Sequence, residues 1–96
     1  MTQIEFDPAK DQINRETHGV SLALVEQFEW DSAMDVLDER RDYNENRWIA
    51  RGLIGERLFC VVYTIRGPAL RVISLRKANK REVNDYVRQT QDRDAD

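Results

Sequence analysis

Residues 71–82, Arg-Val-Ile-Ser-Leu-Arg-Lys-Ala-Asn-Lys-Arg-Glu, hold the densest chemistry in the chain. Leu70 to Leu75 are mostly branched or apolar and read as a strand. Asn79 followed by Glu82 has the spacing of a reciprocal helix cap. Val83, Tyr86 and Val87 then supply the stripe of a packed helix running to about Thr90. Arg76, Lys77, Lys80 and Arg81 thus crowd a helix N-terminus, where positive charge is already concentrated. Free backbone N–H groups and cations together suit a phosphate.

Chemistry on a phosphate ester needs the attacking oxygen deprotonated, the phosphorane charge stabilised and the leaving oxygen protonated. Guanidinium groups bind phosphate bidentately and stay charged, so Arg76 and Arg81 suit the second task. Lys77 and Lys80 suit flanking phosphates, or a lysine suits proton transfer. Arg66 and Arg71 extend the basic track, although strand alternation places Arg71 opposite Arg76. Glu82 reads first as the cap partner and second as a carboxylate that orients an arginine or accepts a proton. Tyr86 is read as a core residue that offers a ring for an unpaired base. His18, the lone imidazole, falls at a helix end before Gly19; this favours a structural or partner-contacting role over acid–base work.

These residues need a scaffold. Ninety-six residues make one modest core, taken as a domain over 1–91 with a frayed tail at 92–96. Asp7-Pro8 opens a first helix whose face is Ala9, Ile13 and Thr17, stopped by Gly19. Ser21 caps a second, short amphipathic helix through Leu22, Val25 and Phe28. Met34–Leu37 is a brief strand, and 38–46 a solvated polar loop. Strands follow at 47–54, 57–65 and 70–75, the middle one apolar enough to be buried on both faces. The expected fold is α+β: a small antiparallel sheet with two N-terminal helices and a C-terminal helix.

The net charge of −3 hides an asymmetry, because residues 1–45 sum to −8 and 46–91 to +7. Such a split marks a nucleic-acid surface, or halves that pair with each other. One cysteine, Cys60, and one histidine rule out an internal disulfide and a Cys/His zinc site within the chain. The acids Asp35, Asp38, Glu39 and Asp42 lack calcium-loop spacing, so no metal or other cofactor is expected. With no apolar block long enough for a membrane and no signal-peptide pattern, the expected compartment is the cytoplasm.

Three segments in order carry a resemblance. Phe6-Asp-Pro-Ala-Lys10 with Asn14 and His18-Gly-Val-Ser21, then Tyr43-Asn-Glu-Asn-Arg-Trp48, then Ile73 to Glu82 with Tyr86, resemble the BrnT-type toxins of bacterial type II toxin–antitoxin systems. Asn44 stands where the family loop usually has glycine, and Asn79 where Thr or Ser is common. The resemblance implies a RelE-like compact ribonuclease fold and a toxin that cleaves RNA and arrests growth. It also implies a ribbon-helix-helix antitoxin of the BrnA type, through which alone the toxin meets operator DNA. The alternative is a binding module without cleavage, whose basic junction receives an acidic antitoxin segment. A free-standing DNA-binding regulator fits less well, since no helix-turn-helix spacing is present.

Overall fold

A computed structural model describes residues 3–94, and the side chains of the closing helix through Gln91. The order is β1 (Gln3–Glu5), α1 (Pro8–His18), β2 (Met34–Leu37), β3 (Trp48–Ile54), β4 (Arg57–Arg66), β5 (Ala69–Lys77) and α2 (Lys80–Asp94). The five strands form one sheet in the order β1-β5-β4-β3-β2. The class is α+β, with two corrections. The sheet is mixed, because β1 pairs with β5 in the parallel sense, Ile4 beside Leu70 and Glu5 beside Arg71. There is one N-terminal α-helix rather than two: Leu22–Gln27 is a 3-10 segment, capped by the Ser21 hydroxyl. Its apolar residues recur every third position, which is the 3-10 period. The final helix runs past Thr90 to Asp94, and 95–96 of the expected tail lie outside the described residues.

Strand β4 is buried on both faces, as its apolar run suggests. One face joins Phe59, Val61 and Tyr63 to Leu22, Val25, Phe28, Val72 and Leu75. The other joins Leu58 and Cys60 to Ala78, with Leu53, Val83 and Tyr86 packed alongside. On the first face the Phe28 ring lies over Gly52, where a Cβ would stand 2.5 Å from its Cζ. Trp30 then packs edge-on against both Phe28 and Tyr63.

Helix α1 does not bury Ala9, Ile13 and Thr17; Ile13 is 60% exposed. Its inward side chains are Asp11 and Asn14, and hydrogen bonding explains why. Asp11 Oδ1 accepts from Leu22 N at 2.7 Å and from the Ser21 hydroxyl at 2.9 Å. The Leu22 amide, opposed by burial and aided by Ser21 and Arg15, lowers the Asp11 pKa. Asn14 acts where β1 has ended: its Nδ2 donates to Leu75 O at 2.8 Å and to Val20 O at 2.9 Å, and its Oδ1 accepts from Leu75 N at 3.1 Å. One side-chain amide therefore finishes the β5 edge and fixes the helix beside it.

The β4–β5 ladder pairs Val62 with Ser74 but Tyr63 with Val72, so Ile73 is an extra residue. Such a bulge shifts the alternation by one. Arg71 and Arg76 therefore share a face, contrary to simple alternation.

Asn14→Ala leaves the Leu75 amide and two carbonyls without their partner. We expect a loss of about 3 kcal/mol, read as a lower urea midpoint at unchanged slope.

Candidate anion site on the open sheet face

The second face of the sheet is covered by α2 only over Leu53, Leu58 and Cys60. Beside that cover, Arg51 on β3 pairs with Cys60 on β4, which pairs with Arg76 on β5. The two arginines flank a small thiol, and both reach the carboxylate of Glu82. Arg76 Nη1 donates to Glu82 Oε1 at 2.7 Å and Nη2 to Oε2 at 2.8 Å, a bidentate pair. Arg51 Nη2 stands 3.7 Å from Oε2. Glu82 also completes the cap: its Oε1 accepts from Asn79 N, and its own N donates to Asn79 Oδ1, each at 2.8 Å. Glu82 is thus both cap partner and arginine anchor.

These contacts set the protonation states. The Arg76 hydrogen bonds, against a cost of burial and with help from the Asn79 amide, bring Glu82 down to about 2 from 4.5. Glu82 in turn raises Arg76, opposed by burial and by the charge of nearby Arg40. Burial pushes the Cys60 thiol up, with Arg76 opposing and the adjacent Glu82 carboxylate adding to the rise.

The loop over 38–46 is less solvated than its composition suggests. Asp38 has no exposed side-chain surface and holds Arg40 at 2.7 and 2.8 Å, while Tyr43 donates to it at 3.1 Å. The Arg40 hydrogen bonds, against burial, keep Asp38 well below the usual carboxylate range. Asn44 takes φ 59°, the left-handed turn conformation that asparagine tolerates better than most residues. Among the described residues no group of three or more His, Cys, Asp and Glu side chains gathers at a metal-binding spacing.

The residues singled out from sequence scatter about this centre. Lys77 lies at the strand end on the opposite face, paired with Phe59, and its carbonyl accepts from Arg76 at 3.3 Å. Lys80 and Arg81 are exposed on the first turn of α2. Arg71 shares the face with Arg76 but is paired with Glu5 at 3.2 Å, and Arg66 with Glu45 at 3.3 Å. Tyr86 packs on the Leu58–Cys60 cluster and donates to Ser32 O at 2.9 Å. His18 lines a 320 Å³ groove between α1 and β5 with Lys10, Ile13, Thr17 and Ile73. Arg51 and Arg40 were missed, because only the register and the loop path bring them to the face. A Gly-flanked arginine inside an apolar strand was the one available signal for Arg51.

The site is a mixed α+β sheet on which one carboxylate fixes a guanidinium group beside a second one, an arrangement chemically suited to an anion. Residues 6–82 match the family model described as the ribonuclease toxin, BrnT, of type II toxin–antitoxin systems, and the chain belongs to that family. It is accordingly a toxin of the ribonuclease kind, whose class implies an RNA substrate and an antitoxin partner. A search among curated proteins returns no match. No helix among the described residues is long and apolar enough to cross a membrane.

Because the folded Glu82 lies below its ordinary value, its contribution is complete above about pH 4.5 and is lost as pH falls toward 2. Glu82→Gln should therefore be less stable than the parent at pH 7, with the gap closing on acidification. Urea titrations at pH 7, 4 and 2.5 read it; a constant gap contradicts the assignment.

Proposed function

We propose that this toxin is a metal-independent endoribonuclease of RelE-like fold that cuts RNA by 2′-hydroxyl attack and arrests bacterial growth from the cytoplasm. The observation that carries this reading is the Arg76 guanidinium, held bidentately by Glu82 beside a second arginine on an open face. Fixed positive charge aimed at one point stabilises a phosphorane without waiting for solvent to reorganise. Several guanidinium groups together supply the charge that a divalent ion supplies in other nucleases.

Arg76 takes the non-bridging oxygens, and Arg81, on the adjoining helical turn, approaches from the α2 side. Glu82 remains ionised at neutral pH and works by orienting Arg76 rather than by taking up a proton. Lys80 draws in a flanking phosphate, whereas Lys77, on the other side of the strand end, and Arg71 and Arg66, each paired with a glutamate, contribute only to the wider positive field. His18, remote in sequence and at the opposite edge of β5, suits contact with the antitoxin. That antitoxin is a ribbon-helix-helix protein of the BrnA type, and the toxin meets operator DNA only through it.

Expression of the chain alone in a bacterial host should stop growth and fragment total RNA within minutes. Arg76→Ala combined with Arg81→Ala, confirmed folded, should do neither, and Arg76→Ala alone should lose about 10²–10³-fold in kcat. Purified toxin should cut equally well in EDTA. Unimpaired growth with intact RNA and folded protein would instead indicate a module that only binds its antitoxin.

A further inference from the structure

Arg51 and Arg76 flank Glu82 on this face, and Arg51 has its donors to spare. Arg76 commits Nη1 and Nη2 to Glu82. Arg51 approaches Glu82 only to 3.7 Å, an ion pair beyond hydrogen-bond length, and its side chain is 32% exposed. Among the described residues no hydrogen bond engages its fork. Arg40 stands near Arg76 with its charge balanced by Asp38, which leaves two arginines against the one Glu82 carboxylate. The local balance on this patch is therefore cationic after Glu82 is satisfied.

The neighbouring row of the same face is apolar. Val36 on β2 pairs with Ile49 on β3, which pairs with Val62 on β4. Val36 is 62% exposed, and Ile49 and Val62 are half-buried. This row lies two residues along each strand from the Arg51–Cys60–Arg76 row, roughly 7 Å. A cationic row and an open apolar row at that separation match a polymer in which a charged phosphate alternates with a flat, weakly hydrated base.

We infer that the uncovered sheet face is a platform for single-stranded RNA, on which Arg51 is a second phosphate-binding guanidinium and the Val36–Ile49–Val62 row receives the adjoining base. The inference rests on the ribonuclease reading and extends it to residues outside the segments that carry the family resemblance. A single strand fits because its bases are free to lie flat on a sheet, whereas duplex bases are turned inward. Arg51 offers its free donors to a phosphate from the β3 side, beside the Glu82 carboxylate that lies between it and Arg76 over the buried Cys60.

The test compares the parent with Arg51→Gln, Arg51→Lys and Val36→Asp, each checked for a native circular dichroism spectrum and melting midpoint. Binding is read by fluorescence anisotropy with a labelled 2′-O-methyl RNA 12-mer of mixed sequence, which cannot be cut. Cleavage is read separately with the matching unmodified RNA. Arg51→Gln should weaken binding about 10-fold and lower kcat/KM at least 30-fold, and Arg51→Lys should fall between it and the parent. Val36→Asp should raise KM several-fold with little change in kcat. If the parent cuts and all three variants bind and cut within two-fold of it, the platform is wrong while the ribonuclease reading stands. A parent that binds through Arg51 without cutting would support the platform and overturn the ribonuclease reading. Variants that keep RNA binding but lose capture of the purified antitoxin would overturn the inference in favour of an acidic protein segment on this face.

Discussion

The carboxylate of Glu82 is the point on which the functional half of this toxin depends. It lies in the first turn of α2, yet its partners come from three places: Asn79 at the cap, Arg76 on β5 and Arg51 on β3. A single side chain thereby starts the helix and fixes the guanidinium of Arg76. The cost of desolvating this carboxylate is offset because its contacts come from two cations, a backbone amide and the Cys60 thiol. The same economy shapes the site, since a carboxylate held that far below its ordinary range cannot drift between protonation states at neutral pH. What it offers the chemistry is geometry.

The charge asymmetry of the sequence resolves along this division. Acids of the first half reach bases of the second at Glu5–Arg71 and at Glu45 with both Arg47 and Arg66. Asp38 instead retains Arg40 within its own loop. Pairing between the halves is therefore part of the answer. It consumes the arginines toward the far ends of β4 and β5 and leaves Arg51 and Arg76 with one carboxylate between them. Folding thus sorts the basic residues into neutralised ones and a concentrated patch.

Much of the scaffold is legible without coordinates. Strands β2 to β5, the Asn79–Glu82 cap and the double burial of β4 all follow from local periodicity and capping chemistry. What is hidden depends on distant partners. The parallel pairing of β1 with β5 joins segments at opposite ends of the chain. The polar inward face of α1 makes sense only once Asn14 meets Leu75, 61 residues away. Ile73 looks like any strand residue, yet as a bulge it brings Arg71 to the side of Arg76. Arg51 looks like an unremarkable strand arginine until its register with Cys60 is known. The residues near the cap were readable because the cap is local; the rest of the site is assembled by the sheet.

The central claim is that fixed guanidinium groups, anchored through Glu82, let RNA be cut by its own 2′-hydroxyl. The chemical identity of the product ends tests it most directly. A short RNA cut by the purified toxin in EDTA should yield a 5′-hydroxyl on one fragment and a 2′,3′-cyclic or 3′-phosphate on the other, resolved by mass spectrometry. Fragments bearing a 5′-phosphate and a free 3′-hydroxyl would show that water attacked instead, and would contradict the account.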